Sequence, residues 1–153
     1  MATLHLMVGL PGSGKTTYAK KLAKQQNAVL FSPDDWQFKL FGNDINQPTH
    51  DENHTKIEQL MWDVAKDILQ TDTDVILDFG CWAKEERDDF RKKAHEIGAD
   101  FKIHFLDTPL EEIWNRLEKR NKIAGKNGVF YVKKHELELW ASMFQKPTKE
   151  ELE

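Results

Sequence analysis

The stretch Gly9-Leu10-Pro11-Gly12-Ser13-Gly14-Lys15-Thr16-Thr17 fits the phosphate-binding pattern G-x-x-x-x-G-K-[ST] at every fixed position. Such a loop needs a strand before it and a helix after it, and both are legible. Leu4, Leu6, Met7 and Val8 form a short apolar run, and Thr16 to Gln26 carries Tyr18, Ala19, Leu22 and Ala23 at helical spacing. Gly9, Gly12 and Gly14 let the backbone turn with positive φ and leave no Cβ between the amide N–H groups and phosphate oxygens. A helix opening at Lys15 and Thr16 adds its partial positive charge and unpaired N–H groups. Gly9, Pro11, Gly12, Ser13, Gly14, Lys15, Thr16 and Thr17 are thus expected to hold a nucleoside triphosphate, ATP, with Mg²⁺. Lys15 would reach the β- and γ-phosphates, the Thr16 hydroxyl would coordinate the metal, and Thr17 would lie by the α-phosphate. The bland alternative is a glycine-rich turn with no ligand.

The 153 residues suit one domain spanning 1–153, and 39% hydrophobic with 31% charged residues is an ordinary globular composition. Lys and Arg total 22 against 26 for Asp and Glu, a formal charge of −4. That balance argues against a broad surface for nucleic acid or anionic membrane and leaves room for a small basic patch. The single cysteine, Cys81, forms no internal disulfide, and no secretory leader pattern opens the chain. No apolar run approaches the roughly 18 residues of a membrane-spanning helix. A cytoplasmic monomer or homodimer is the expectation.

After the first helix, Ala28 to Phe31 reads as a buried strand ending at Ser32-Pro33-Asp34-Asp35, a loop and helix start. Polar residues at a strand's C-terminal end stand where open α/β sheets bind ligands. Asn43 to Asn53 reads as a mobile polar loop, followed by a helix with Ile57, Leu60, Met61, Val64 and Ile68 at its spacing. Asp74 to Gly80 is a third strand with Asp78 where the apolar run ends, like a Walker B strand. Lys84 to Ile97 is a helix with Phe90, Ala94 and Ile97 inward and Gly98 as its cap. Phe101 to Leu106 is a fourth strand, and Pro109 suits the first position of the next helix, with Leu110, Ile113, Trp114 and Leu117 facing the core. Arg116 and Arg120 share a more polar face of that helix. Asn121 to Lys133 is a glycine-containing loop, and Leu137, Trp140, Ala141 and Phe144 mark a last helix before an acidic tail over 147–153. Alternating strands and helices imply a parallel sheet with right-handed crossovers.

With these segments in hand, the chain resembles the small P-loop kinases, the AAA-like ATP-binding group that includes polynucleotide 5′-kinase, chloramphenicol phosphotransferase and zeta-toxin-type kinases. The residues that carry the likeness are the loop, Ser32 to Trp36, Val75 to Gly80 and Asp107 to Asn121. The resemblance implies a three-layer α/β sandwich around a parallel sheet in the order 2-3-1-4, with helices on both faces and a small lid at Asn121 to Lys133. It also implies ATP-dependent phosphoryl transfer to a hydroxyl group bound across the strands' C-terminal ends. In that family a carboxylate after the second strand is the general base, and Asp34 matches it. Where polynucleotide kinases carry D-x-x-R, this chain has Gln37, which favours a small-molecule acceptor over nucleic acid. Arg116 and Arg120 match the lid arginines that neutralise the transferring phosphoryl group.

Each assignment has a plainer reading beside it. Asp34 is either the base or a cap for the helix of Trp36 and Phe38, and Asp35 could exchange roles with it. Asp78 is either a Mg²⁺-side carboxylate or a solvated strand end, and Arg116 either a lid residue or the i,i+4 partner of Glu112. Trp36, Trp82 and Cys81 line an acceptor pocket or belong to the core. His50 and His54 read as a polar helix start, and Lys20, Lys21 and Lys24 as a solvated face. Two other functions compete: a nucleotide-dependent switch module and a nucleic-acid end-repair kinase. The guanine-reading N-K-x-D fails at Asn121-Lys122-Ile123-Ala124, which lacks the Asp.

Overall fold

Alternation along the first strand sets the layers. In β1 (Thr3–Val8), Leu4, Leu6 and Val8 join the larger apolar cluster on one side, while Met7 joins the smaller one on the other. Five of its six residues are buried, as expected of a strand covered on both faces. The computed structural model describes residues 1–123 and 130–153. Along these run α1 (Lys15–Gln26), β2 (Val29–Phe31), α2 (Pro33–Phe41), α3 (His50–Leu69), β3 (Val75–Gly80), α4 (Lys84–Glu96), β4 (Asp100–Phe105), α5 (Leu110–Asn121) and α6 (Lys134–Met143).

The four strands form a parallel sheet in the order β2-β3-β1-β4, with Leu4 opposite Val75 and Phe101 and Val29 opposite Val75. On one face Leu4, Leu6, Val75, Leu77 and Ile103 pack with Ile57, Met61, Trp62 and Ala65 of α3 and Ala94 of α4. On the other, Met7 and Ile76 pack with Ala19 and Leu22 of α1. Each fully buried Leu or Ile contributes about 1.5–3 kcal/mol. A third cluster, Ile113, Leu117, Val132 and Leu137, joins α5 to α6 at the end of the sheet that carries the glycine loop. The expected three-layer fold and strand order are present.

Several boundaries differ from the sequence reading. Helix α3 starts at His50 and so absorbs the end of the expected loop, because Asp51 and Glu52 lie in its first turn and complement the helix dipole. The polarity that reads as loop is that of a helix N-terminus. Pro109 has extended ψ of 140° and precedes the helix, its carbonyl accepting from the Ile113 N–H at 3.0 Å. Leu110, Leu60 and Val64 lie on the exposed margins of their helices' apolar stripes. Trp36 packs edge-on against Phe31 in the core, with centroids 5.9 Å apart.

The C-terminal acidic segment is tied down. The Arg87 guanidinium, fully buried, donates through Nε to Glu151 Oε1 at 2.8 Å, and Glu151 also receives the Thr148 N–H at 2.7 Å. Of the expected lid, 124–129 lies outside the described residues. Its two ends are bridged at Asn121, whose Nδ2 donates to the Val132 carbonyl and whose Oδ1 accepts from the Val132 N–H. Among the described residues no helix is long and apolar enough to cross a membrane.

Candidate active site

The glycine loop leaves β1 at Val8 and is anchored where the Gly9 N–H donates to the Gly80 carbonyl at 3.2 Å. Gly12 and Gly14 have φ of 81° and 94°, and a Cβ on Gly12 would meet the Leu117 side chain of α5 at 2.9 Å. Positive φ and close approach therefore both require glycine there. Helix α1 then begins without a side-chain cap and without an acidic residue in its first turn. Helices α2, α3, α4, α5 and α6 all have an acidic residue in that turn. The free amides and positive end of α1 are thus left to an external anion.

Asp78, at the C-terminal end of β3, draws the loop and the next strand together. Its Oδ2 accepts from the Thr16 hydroxyl at 2.7 Å and from the Ser32 hydroxyl at 3.3 Å, while Lys15 Nζ lies 3.7 Å from Oδ1. Asp78 Oδ1 and Ser13 Oγ are buried without a hydrogen-bond partner among the described residues, a costly state for polar atoms. A hydroxyl and a carboxylate side by side are oxygen donors of the hard kind that magnesium takes. Together with the Lys15 ammonium and the glycine cradle, they fit a Mg²⁺–triphosphate.

The loop is also held from α5. The Thr108 hydroxyl donates to the Ser13 carbonyl at 2.8 Å, and Arg116 donates through Nη1 to the Gly12 carbonyl at 3.3 Å and through Nη2 to Glu112 at 2.7 Å. Arg116 is thus paired with Glu112 within its helix, as its plainer reading has it, and its other terminal nitrogen is engaged with the loop backbone. Arg120 is exposed in the last turn of α5 and, among the described residues, makes no hydrogen bond or ion pair. Pro11 is half-buried in the loop and Thr17 exposed on α1.

Across from the loop stand α2 and α3. Asp34 lies one residue inside α2 and makes no capping hydrogen bond, its side chain 64% exposed. Asp35 turns away to pair with Lys39 at 3.1 Å. His54 of α3 lies between two carboxylates, its Nδ1 3.8 Å from Asp34 and its Nε2 3.7 Å from Glu58. Burial, with the nearby carboxylates of Glu86 and Asp34, pushes the Glu58 carboxyl up to about 8. Burial likewise lowers the His54 imidazole below its ordinary value, against the raising influence of Asp34. Gln37, which stands where the polynucleotide-kinase pattern has an arginine, is fully buried beneath them and does not reach the cleft.

Sequence reading names Gln37 but gives no account of its hydrogen bonds, places Ser32 at a strand end without a role, and passes over Glu58. The available signal for Glu58 is its i,i+4 spacing from His54. It also leaves Arg87 without a role. Beyond Glu151, Arg87 donates through Nη1 to the carbonyls of Cys81 and Trp82, both at 3.0 Å. Cys81 has φ of 25°, a strained value for a side-chain-bearing residue, so Arg87 fixes the turn by which the chain leaves β3 beside Asp78. Burial pushes the Cys81 thiol up, and Trp82 packs against Trp140 of α6.

Comparison with known proteins agrees with the fold. A family model described as AAA domain matches residues 4–147. A shikimate kinase from Corynebacterium jeikeium (strain K411) is 31% identical over 112 residues, covering 73% of this chain and 57% of that protein. The chain thus spans little more than half the length of that relative. A chain of the Pnkp1/Rnl/Hen1 RNA repair complex superposes with a TM-score of 0.73 at 27% identity, over 93% of this chain and 43% of that one. Chaetomium thermophilum Kti12 in complex with ADP-AlF3 shares the fold at 18% identity, with a TM-score of 0.74 over 95% of this chain and 81% of its own.

Proposed function

The chain belongs to the AAA-domain family, within the P-loop kinase group, and from that premise we propose an ATP-dependent phosphotransferase acting on a hydroxyl of a small molecule. One observation carries the reading: Lys15 and Thr16 gather with Asp78 beside the glycine loop, while Asp34, largely exposed and with His54 3.8 Å away, opens the helix that follows β2. Phosphoryl transfer asks a protein mainly for positioning and charge stabilisation.

In this reading the loop amides and Lys15 bind the β- and γ-phosphates, and Thr16 and Asp78 hold Mg²⁺. The metal, when bound, neutralises charge on the phosphate oxygens. Leu10, Phe105, Ile113 and Phe144, with the ion pair of Asp107 and Lys146, help line a cavity of about 270 Å³ beside the loop, whose partly apolar walls suit the flat base. Asp34 accepts the proton of the acceptor hydroxyl as its oxygen bonds to the γ-phosphorus. The bond from that phosphorus to the β–γ bridging oxygen breaks, and ADP leaves with the electron pair. Arg116 and Arg120 serve the transferring group from the lid side.

The test is an ATP-consumption screen over alcohols, nucleosides, sugars and antibiotics, beside a thermal-shift titration. Mg·ATP should stabilise the protein more than Mg·GTP, and equal or absent stabilisation would count against the reading. A second reading, a polynucleotide 5′-hydroxyl kinase, is favoured by the likeness to the RNA repair complex. The buried Gln37 and the net charge of −4 weigh against it. Efficient labelling of a 5′-hydroxyl oligonucleotide would put that reading first.

A further inference from the structure

Gln37 has no exposed surface, yet it lies one helical turn from the exposed Asp34. Its amide is fixed by the groups around it. Nε2 donates to the Asp44 carboxylate at 3.1 Å and to the His50 carbonyl at 2.8 Å, both of which only accept. Oε1 must then be the atom facing His54 Nδ1 at 2.8 Å, so that nitrogen carries the proton and donates to Gln37. The Asp34 carboxylate waits 3.8 Å away from the same nitrogen. Two acceptors thus compete for one N–H, and Gln37 holds it.

We propose that Gln37 is a positioning residue for phosphoryl transfer: by engaging the Nδ1–H of His54, it keeps that imidazole from closing an ion pair with Asp34. The inference rests on the kinase reading of the site. An Asp34 clamped by imidazolium would be turned away from the acceptor and less able to take its proton. The opposite nitrogen, Nε2, faces Glu58 at 3.7 Å, and burial of Glu58 leaves a neutral carboxyl there at pH 7. A neutral neighbour gives the imidazole no reason to take up a second proton. The charged and titratable groups around the pair are Asp34 of α2, His50 and Asp51 of α3, Lys15 at the loop, and Glu86 of α4 facing Glu58. Asp44 keeps the frame rigid. Its burial would push its carboxyl up, but bonds from His50 and Gln37 outweigh that and hold it below the ordinary carboxylate value.

The test is nitrogen-15 correlation spectroscopy of the histidines, with His54 assigned by its loss in His54→Ala. Wild type should show the Nδ1–H form at pH 7 and titrate below about 6.5. In Gln37→Glu a carboxylate replaces the amide oxygen, and the His54 titration should rise by at least about one unit. An Nε2–H form in wild type, or an unmoved titration in Gln37→Glu, overturns the proposal. Gln37→Met, with Mg·ATP and water as the probe acceptor, should lower kcat about tenfold or more while KM for ATP stays within about twofold. Unchanged kcat, or KM rising as much as kcat falls, reduces Gln37 to a structural staple and overturns it. Should Gln37→Met fail to fold by circular dichroism, the Gln37→Glu titration decides alone. Absence of any wild-type ATP turnover counts against the kinase reading instead, and the His54 spectra still decide the arrangement.

Discussion

The two halves of the cleft are built in different ways. The phosphate side is mostly local: nine consecutive residues, a strand before them and a helix after them bring Gly12, Gly14, Lys15 and Thr16 together, and Asp78, Ser32, Thr108 and Arg116 join from farther along the chain. The opposite side is assembled from separate segments, Asp34 and Gln37 on α2, Asp44 in the connection, His50, His54 and Glu58 on α3 and Glu86 on α4. Backbone amides dominate the first half, and buried side-chain bonds the second. A backbone cradle recognises what every nucleotide shares, whereas a side-chain network can be retuned for one acceptor.

The largest expected effect falls on the local half. Lys15→Ala should cost about a hundredfold or more in ATP turnover and abolish stabilisation by Mg·ATP in a thermal-shift assay, since it removes a charge aimed at the transferring phosphates. The next falls outside both halves, on the staple beneath Asp78. Arg87→Met leaves the Glu151 carboxylate buried beside an apolar chain and should destabilise the fold by about 3–5 kcal/mol in urea unfolding. The double variant Arg87→Met, Glu151→Met should recover most of that loss, because an apolar pair replaces an orphaned charge.

Behind the sheet, His104 is bonded to His5 at 2.9 Å and to the Tyr18 hydroxyl at 3.1 Å. Burial, with the neighbouring His5 and Lys102, lowers its imidazole to about 4. The unfolded chain protonates near 6.5 and the folded one near 4, so the unfolded state binds more protons between those values and stability falls as pH falls through that window. Urea unfolding free energies at pH 7 and pH 4.5 should differ by about 1–2 kcal/mol from this group, the full shift being discounted for its partial solvation. A His104→Phe variant should show a smaller difference. The smallest effect belongs to Asp35→Asn, which breaks only an exposed pair with Lys39 and should change stability by less than about 1 kcal/mol and leave ATP turnover unchanged.

What was legible in the sequence follows the same division. The loop and the place of Asp78 near the end of a strand are legible because fixed spacing and short-range periodicity carry them, whereas the strand order follows only from the family resemblance. The loop reading of Asn43 to Asn53 runs four residues into α3, because acidic and amide residues look alike in a loop and in a helix's first turn, while the polar helix start read at His50 is where α3 begins. Gln37 was legible as a departure from a pattern, but its burial depends on Asp44, His50 and His54, which contact order places beyond any local signal. Arg87 and Glu151 lie 64 positions apart, and nothing short of the fold shows that they meet.

In the proposed reaction Asp34 serves transfer while the glycine loop serves binding. The most direct measurement is calorimetric Mg·ATP affinity and phosphoryl-transfer rate, on wild type and Asp34→Asn, with whichever acceptor the screen yields. The account predicts an affinity within about twofold of wild type and a rate lower by about a hundredfold or more. A variant that keeps its turnover, or that loses ATP binding along with it, would contradict the account.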